Sequence, residues 1–452
     1  MSAVPERAAR TLPLINVADA GRTFAWRDGR AVRLDEFLAD VRRAAAALPC
    51  AREAVNLCED RYAFLVAFCA VACRGGTNLL PPSRAPHAVD EVLAAYPNAC
   101  ALAERTLVPA PARFVQLPAL GGERDAEVPT LGADQIVAIG FTSGSTGQPK
   151  PNAKPWAAFH ASTAHNVAAI ADVLALADGE LTHVVATVPP QHMYGIELSV
   201  LLPLLGPFAV HGGRPLFPAD VAAALAEVPA PRVLVTTPVH LRALLDDPAP
   251  LPALGAITSA TAPLPQELAA AAEARYGAPV LELFGSTETC VIAQRRSASE
   301  ADWRLYSDVQ LRPQPDGTLV EAPYFVQSVT LQDLVELRPG GRFRLRGRHA
   351  DLIEIAGKRA SLADLTRRVL ALSGVHDAAV VQLDEPDAIG VRRIAALVVA
   401  PDRSEADLLG ELRAAIDPAF LPRPLRKVAA LPRNETGKLP RAALLKALAG
   451  PG

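Results

Sequence analysis

The chain has 452 residues; half are hydrophobic and 21% are charged, a composition that allows a large core and excludes overall disorder. This length predicts two or three domains of ordinary size. A net charge of −3, with Lys and Arg spread along the chain, argues against a protein built mainly to bind nucleic acid.

The N-terminus lacks a signal-peptide pattern, and no apolar run in the sequence is long enough to span a membrane. No apolar block precedes Leu12, and the run at residues 63–73 is too short for a bilayer. The six cysteines lack metal-binding spacing, which indicates buried free thiols in a reducing compartment. We therefore expect a cytoplasmic protein without a membrane span.

A segment rich in glycine and hydroxyl side chains follows an apolar run at residues 135–139. It reads Phe141-Thr-Ser-Gly-Ser-Thr-Gly-Gln-Pro-Lys150. Backbone N–H groups and short donors at a strand end, with a lysine, are typical of an anion site. The segment is not a Walker A loop, because Pro149 stands where that motif has glycine. Taken alone, it is equally compatible with a solvated Gly/Ser linker.

From residue 181 onward, β-branched runs alternate with helical patterns. We predict strands at residues 182–190, 232–238, 255–261 and 279–284, and helices at residues 218–228, 239–245 and 265–276. This alternation predicts an α/β fold, in which mostly parallel sheets are covered by helices. Ligands bind at the carboxyl ends of such strands, where Ser259-Ala-Thr-Ala-Pro and Phe284-Gly-Ser-Thr-Glu are expected.

Three further motifs carry chemically useful side chains. Pro190-Gln-His-Met-Tyr-Gly195 would line a pocket or pack in the core. Leu283-Phe-Gly-Ser-Thr-Glu-Thr289 offers a carboxylate for a hard cation, or the cap of a helix. Pro432-Arg-Asn-Glu-Thr-Gly-Lys438 places a lysine on a tight turn, which alone would be an ordinary solvated turn.

A change of pattern near residue 347 predicts a domain boundary. A glycine-hinged, arginine-rich hairpin at residues 337–348 precedes helices at residues 362–372, 404–416 and from 441, and strands at residues 378–383 and 394–399. We predict a large N-terminal domain, residues 1–347, and a small α+β domain, residues 348–452. The small domain holds 16 Lys and Arg against 13 Asp and Glu, which suits an anionic partner or reflects chance variation.

In order and spacing, these segments resemble the superfamily of adenylate-forming enzymes, which includes acyl- and aryl-CoA synthetases, peptide synthetase adenylation domains and firefly-type luciferases. The resemblance covers residues 135–441, and Thr-Ser-Gly-Ser-Thr-Gly-x-Pro-Lys at residues 142–150 is highly specific to that superfamily. Further family motifs are matched by residues 259–264, by Asp333 and by the hinge segment 347–359. The resemblance implies that the small C-terminal domain is mobile.

The resemblance also implies a role for each matched residue. Loop 143–150 would hold the ATP β- and γ-phosphates, and Thr287 the α-phosphate. Thr261, Ala262, Phe284 and Gly285 would bracket the adenine, while Asp333 and Arg348 would bind the ribose. The full nucleotide set is Thr142, Ser143, Gly144, Ser145, Thr146, Gly147, Lys150, Thr261, Ala262, Phe284, Gly285, Ser286, Thr287, Asp333 and Arg348.

Catalysis would depend on Lys438, Glu288 and Thr287. Lys438 would bridge the substrate carboxylate and the α-phosphate, and Glu288 would bind Mg²⁺. The thiolation face would hold Gly357, Lys358 and Arg359. Glu354, Ala350 and Phe284 depart from the family pattern, and the first two bear on domain rotation and thiol transfer.

The acid pocket implied by the resemblance is formed by His192, Met193, Tyr194, Gly195, Ser259, Thr261, Phe284 and Gly285. His192-Met-Tyr194 resembles the histidine-x-tyrosine of 4-coumarate:CoA ligase-type members. Tyr194 therefore favours an aryl substrate, through a hydrogen bond to a ring hydroxyl. A fatty acid in an apolar tunnel is the alternative.

The whole chain looks most like the compact AMP-ligases of aryl polyene and xanthomonadin pigment pathways, on residues 189–197, 259–264, 355–361 and 417–424. This implies ATP, Mg²⁺, a hydroxybenzoate-like acid and the phosphopantetheine thiol of a holo-acyl carrier protein. Coenzyme A is the alternative acceptor. A non-catalytic nucleotide-binding relative and an adenylating enzyme with a non-thiol product are the competing functions.

Overall fold

The computed structural model describes residues 10–16, 19–49, 52–143, 149–177, 179–348, 352–355, 358–387, 392–434 and 437–449, with the backbone alone at residues 143, 149, 348, 352, 354, 358, 359, 414 and 415. The chain divides into two compact units. The first comprises Met1–Ala301 and Ala322–Gln327, and the second comprises Asp302–Glu321 and Ser328–Gly452. The boundary predicted after residue 347 remains a prediction.

The first part of unit 1 is built around a sheet with the strand order β10-β9-β5-β4-β6-β7. All neighbours in it are parallel except β9 and β10. The elements are β1 Thr11–Pro13, β2 Thr23–Arg27, β3 Arg30–Arg33, α1 Leu34–Ala47, β4 Glu53–Asn56, α2 Arg61–Cys73, β5 Thr77–Leu80, α3 Pro86–Ala95, β6 Cys100–Ala103, β7 Phe114–Gln116, β8 Thr130–Gly132, β9 Ile136–Ser143, β10 Pro149–Pro155 and α4 Trp156–Leu174.

The second sheet of unit 1 has the order β16-β15-β14-β13-β11-β12-β2-β3, parallel from β15 to β2. Its remaining elements are β11 Thr182–Ala186, β12 Phe208–His211, α7 Pro218–Glu227, β13 Arg232–Thr236, α8 Pro238–Asp246, β14 Ala256–Ser259, α9 Gln266–Tyr276, β15 Val280–Ser286 and β16 Cys290–Arg295. Between β11 and β12 the helices α5 Met193–Ile196 and α6 Leu202–Leu205 flank a π-helical segment, Glu197–Leu201.

Apolar side chains on the second sheet explain why its helices pack where they do. Leu234, Ile257 and Val280 of neighbouring strands form one buried cluster with Leu225 and Leu241 of α7 and α8. Thr237 starts α8 by accepting a hydrogen bond from the His240 N–H, and Pro238 follows at the first helical position. The parallel sheet predicted from residue 181 onward is therefore confirmed, and each parallel strand ends at the same edge.

Helix α2 is the apolar run noted in the sequence. It is buried on all sides because its thirteen residues carry, besides Arg61, only uncharged side chains. No helix in the described part of the chain is long and apolar enough to cross a membrane. Of the cysteines that the structure describes, Cys58, Cys69, Cys73, Cys100 and Cys290 are free thiols, and all but Cys73 are fully buried.

The described part of unit 2 contains the neighbouring strands β21-β22-β17 and three small sheets, with orders β18-β19-β20, β23-β24 and β25-β26-β27. The elements are β17 Trp303–Leu305, β18 Gln310–Gln314, β19 Gly317–Glu321, β20 Val329–Leu331, β21 Asp333–Arg338, β22 Arg342–Arg348, β23 Leu352–Ile355, β24 Lys358–Ser361, α10 Leu362–Leu370, β25 Asp377–Gln382, β26 Ile394–Val399, α11 Glu405–Ala415, a 3₁₀ turn Pro418–Phe420, β27 Leu425–Lys427 and α12 Arg441–Ala449. The predicted hairpin, helices and strands of this region are confirmed.

Candidate active site

The loops that follow four neighbouring strands of the second sheet meet at its carboxyl edge. In spatial order these strands are β15, β14, β13 and β11. Phe284–Ser286 end β15 and Ser259 ends β14, so both predicted ligand segments lie at this edge. Crevices at this edge are the usual ligand site of open α/β sheets.

The predicted phosphate segment lies on two antiparallel strands, β9 and β10. Thr142 pairs with Lys150, and Ser143 pairs with Pro149. The Thr142 hydroxyl accepts a hydrogen bond from the Asn152 side-chain amide at 3.4 Å, and Lys150 is exposed. Gly144, Ser145, Thr146 and Gly147 lie outside the described residues, so their phosphate contacts remain predictions.

Strand β9 lies directly against the other predicted site segments. A Cβ atom added to Gly140 would lie 2.7 Å from Thr287 Cγ2 and 3.3 Å from Met193 Cε. Such distances are too short for a side chain, which explains the glycine. The strand that leads into the phosphate loop, the candidate α-phosphate residue and the acid-pocket segment therefore converge within unit 1.

Residues 286–289, here called the glutamate turn, connect β15 to β16. A Cβ at Gly285 would lie 2.1 Å from the Cys290 carbonyl oxygen, so only glycine permits this hairpin. The Ser286 N–H donates to Thr289 Oγ1 at 3.1 Å, and the Thr289 N–H donates to Ser286 Oγ at 3.3 Å. The motif thus forms a β-turn that presents Thr287 and Glu288, and the helix-cap alternative is wrong.

Two buried charged residues beneath the glutamate turn were missed by the sequence reasoning. Lys154 of β10 is 5% exposed, and its Nζ donates to the main-chain carbonyl of Glu288 at 2.6 Å. Glu197 is 1% exposed, and its carboxylate accepts the Val291 N–H at 3.0 Å. Burial raises the pKa of Glu197, and the charge of Lys154 opposes that rise.

The predicted adenine loop contains a strained residue. Thr261 has φ +79°, a conformation that costs a β-branched residue about 1–3 kcal/mol and that occurs mainly at functional sites. The loop is anchored where the Leu264 N–H donates to Glu282 Oε1 at 3.0 Å, and Arg295 holds the same carboxylate. Ser259 is fully buried, and its hydroxyl makes no hydrogen bond to the described residues.

The predicted acid-pocket segment enters a short helix after β11. Gly195 is required here, because a Cβ would lie 1.9 Å from the Pro189 carbonyl oxygen. Tyr194 is buried with its hydroxyl 2.9 Å from Thr258 Oγ1, and burial raises the pKa of this phenol. His192 is half-buried at the start of α5.

In unit 2, Asp333 and Arg348 are direct cross-strand partners of β21 and β22. Directly opposite residues of an antiparallel pair have Cβ atoms about 4.5–5.5 Å apart. Asp333 is half-buried, and its main-chain carbonyl accepts the Thr318 hydroxyl at 2.6 Å. The two candidate ribose residues are thus brought together.

The candidate catalytic lysine also lies in unit 2, on a short turn. Lys438 is exposed, and its N–H donates to Asn434 Oδ1 at 2.9 Å while its carbonyl accepts the Asn434 N–H at 2.8 Å. Gly437 supplies a positive φ of +78°. The predicted tight turn is confirmed at its described residues.

The thiolation face predicted from the sequence is described only in part. Gly357 and Ala350 lie outside the described residues. Lys358 pairs with Ile355 and Arg359 with Glu354 in the β23–β24 hairpin. Their part in thiol transfer remains a prediction.

Glu288 is the candidate ligand for Mg²⁺. It is half-buried in the glutamate turn, and no three His, Cys, Asp or Glu side chains of the described residues are grouped to hold a metal ion. Mg²⁺ commonly binds one or two carboxylates and completes its shell with phosphate oxygens and water. Glu288 therefore fits an ion that binds together with ATP phosphates.

Comparison with known proteins decides the family. The family model described as AMP-binding enzyme matches residues 22–316, well over half of the chain. The chain belongs to the AMP-binding enzyme family. As a member of this adenylate-forming family it is an ATP-dependent, AMP-forming acid ligase, as the sequence predicted.

Relatives of this AMP-binding enzyme support the assignment. It is 32% identical over 315 residues to 4-coumarate–CoA ligase of Halorhodospira halophila, covering 66% of this chain and 73% of the relative. It is 28% identical over 375 residues to sulfoacetate–CoA ligase of Cupriavidus necator, covering 73% and 71%. The structure of ATP-bound MatB from Rhodopseudomonas palustris matches with a TM-score of 0.80 at 19% identity, covering 96% and 97%, which confirms the adenylate-forming fold.

Proposed function

We propose that this AMP-binding enzyme adenylates an aromatic, hydroxybenzoate-like carboxylic acid and transfers the acyl group to the phosphopantetheine thiol of an acyl carrier protein. The single observation that carries the proposal is the convergence at Gly140, where β9 touches both Thr287 and Met193. The glutamate turn and the acid-pocket segment therefore both pack against β9. An acid bound beside Met193 would lie next to the α-phosphate held by Thr287.

The chemistry follows from the charges involved. A carboxylate oxygen attacks the α-phosphorus of ATP, and the bond from that phosphorus to pyrophosphate breaks. Because both reactants are anions, catalysis depends on positioning and on neutralising charge. Thr287 donates to the α-phosphate, and Lys438 bridges it to the carboxylate. Glu288 would hold Mg²⁺, which when bound would supply further positive charge to the phosphates.

An aromatic acid is supported by the acid-pocket segment and by one relative. The relative at 32% identity is named for 4-coumarate, an aromatic acid. The Tyr194 hydroxyl is already paired with Thr258. Because a phenol can donate one hydrogen bond and accept others, it retains capacity for a ring hydroxyl. Another relative is named for sulfoacetate, an aliphatic acid, so an aliphatic acid is the competing substrate.

The acceptor is proposed to be a carrier protein on the resemblance to pigment-pathway ligases. The relatives named as CoA ligases favour coenzyme A as the competing acceptor. Both acceptors present the same phosphopantetheine thiol, so both use one second half-reaction. In it, the thiol attacks the acyl carbonyl and AMP leaves.

Acid-dependent exchange of pyrophosphate into ATP tests the adenylation step. We expect exchange with hydroxybenzoates, weaker exchange with cinnamates and none with fatty acids or sulfoacetate. Exchange confined to aliphatic acids would contradict the aryl assignment. ATP binding without exchange on any acid would contradict adenylation itself.

A further inference from the structure

Lys154 is an unusual residue for a strand interior. It is 5% exposed, yet it lies between Ala153 and Pro155 on β10, next to the phosphate segment. Burying an ammonium group is costly unless it is paired. Its Nζ donates a hydrogen bond to the main-chain carbonyl of Glu288 at 2.6 Å, and it also interacts with the buried thiol of Cys290.

A buried carboxylate, that of Glu197, holds the backbone that follows the glutamate turn. Glu197 lies in the π-helical segment and accepts the Ser162 hydroxyl and, at 3.3 Å, the Asn166 amide, both from α4. It also accepts the Val291 N–H with both oxygens, at 3.1 and 3.0 Å. Burial raises the pKa of Glu197, and the nearby charge of Lys154 favours its ionised form.

The two residues therefore hold the backbone on both sides of one short turn. Lys154 fixes the carbonyl of Glu288, and Glu197 fixes the N–H of Val291, three residues later. Between these points Cys290 has φ +63°, a conformation that few non-glycine residues adopt unaided. The surrounding contacts must impose it.

A purely structural role explains this arrangement poorly. Buried ion pairs add little net stability, and apolar side chains of similar volume often replace them without loss. An apolar residue at position 154 would fill the space but could not hold the Glu288 carbonyl. What the lysine adds is a hydrogen bond that fixes the orientation of the Glu288 carbonyl.

We propose that Lys154, supported by Glu197, is a positioning residue that holds the glutamate turn in one conformation, with Glu288 ready for Mg²⁺ and Thr287 ready for the α-phosphate. The inference rests on the proposed roles of those two residues. Neither Lys154 nor Glu197 contacts the substrate in this account.

Lys154→Met tests the proposal, because it keeps the length and apolar stem of the side chain and removes the donor. We expect kcat for pyrophosphate exchange to fall about 10- to 100-fold, the range typical of lost outer-shell partners of metal ligands, with the KM for the acid unchanged. Titration calorimetry with a non-hydrolysable ATP analogue should show that the variant needs more Mg²⁺ for the same affinity.

Arg22→Met is the matched control. Arg22 lies in the same unit and donates to the carbonyls of Pro203 at 2.6 Å and Phe208 at 2.8 Å, where β12 begins and away from the carboxyl edge. Burial lowers its pKa to about 10. Its loss should lower the unfolding temperature and leave kcat and the Mg²⁺ requirement of the folded enzyme unchanged.

If Lys154→Met does not fold, the double variant Lys154→Met with Glu197→Gln removes both charges and leaves no single buried charge uncompensated. A folded single or double variant with wild-type kcat and Mg²⁺ requirement would overturn the proposal. An equal loss in Arg22→Met would also overturn it, as a general stability effect. Absence of exchange in the wild type would instead contradict the proposed function, while the calorimetric comparison still decides the role of Lys154.

Discussion

Lys438 is presented by a turn whose backbone is tied down at several points. The Gly437 carbonyl accepts Arg433 Nη1 at 2.8 Å, and Arg433 itself pairs with Asp377 of β25 at 2.7 Å. The lysine side chain is exposed at the end of this braced turn. We therefore propose that this exposed ammonium group is available to a bound carboxylate in the adenylation half-reaction.

We predict that Lys438→Ala lowers pyrophosphate exchange about 10²- to 10³-fold, the cost typical of removing one preorganised donor to developing charge. Thiol transfer from a pre-made acyl-adenylate should survive, because the carboxylate has by then been consumed. Lys446→Ala, an exposed lysine of α12, is the control and should change neither rate. Unchanged exchange in Lys438→Ala would refute the role of that lysine.

At this scale the sequence predicts residues that belong to a motif and misses those that support it. Lys150 and Lys154 are four positions apart on β10, so strand alternation places both on one face. Yet Lys150 is exposed and Lys154 is buried. That difference depends on the elements packed over the strand. Glu197 is missed for the same reason, since its partners come from α4 and β16.

The contact between β9 and the glutamate turn is the element-scale feature on which the site depends. Gly140→Ala would place a methyl group 2.7 Å from Thr287 Cγ2, so the Thr287 side chain must move. Because misplacement of reacting groups by about 1 Å can cost 10²-fold, we expect this smaller shift to lower kcat about 10-fold. Steady-state exchange kinetics on the folded variant measure it.

Gly410→Ala on α11 is the control for that substitution. A Cβ there meets nothing within 4 Å, and its alanine should raise helix stability by up to about 1 kcal/mol without affecting kcat. Wild-type kcat in Gly140→Ala would show that β9 and Thr287 do not need to touch so closely.

Helices and strands are predicted most accurately where the apolar pattern and the length of a segment indicate the same type of element. Strands β13, β14 and β15 and helices α7 to α9 form close to the predicted residues. The glutamate motif was ambiguous, because Ser or Thr before Glu also begins helices. Two features show that the motif forms a hairpin. The strand Cys290–Arg295 follows it directly, and the space at Gly285 admits no side chain.

The stability of the molecule should depend on a histidine outside the site. His183 of β11 is 5% exposed and packs edge-on against Trp26. Burial lowers its pKa to about 4. Since the unfolded histidine titrates near 6.5, this side chain contributes fully above pH 6.5, and the contribution is lost as pH falls towards 4. The loss is roughly 3 kcal/mol in all.

Urea unfolding at pH 7.5 and 4.5 measures this effect. We expect His183→Gln to reduce the drop in unfolding free energy between the two pH values, because it removes a group that must lose its proton to fold. His87→Gln, at an exposed position, should leave the drop unchanged. The same drop in wild type and His183→Gln would contradict the assignment.

At the scale of the whole molecule, the sequence motifs predict the fold and the first half-reaction, and the structure and relatives confirm both at the level of an AMP-forming acid ligase. The acceptor is harder to predict. Coenzyme A and a carrier protein present the same thiol and are both anionic, so the net charge of +3 on residues 348–452 suits either. The acceptor is determined by the contacts that the enzyme makes with the rest of coenzyme A or of the carrier protein, beyond the shared thiol.

The most direct test is intact-mass analysis of a holo-acyl carrier protein incubated with the enzyme, ATP, Mg²⁺ and a hydroxybenzoate, with coenzyme A present in competition. We predict that the carrier protein gains one hydroxybenzoyl group in an ATP-dependent manner. An unmodified carrier protein alongside accumulated hydroxybenzoyl-CoA would contradict the proposed acceptor. If no aromatic acid were transferred while aliphatic acids were, the proposed aromatic substrate class would be contradicted.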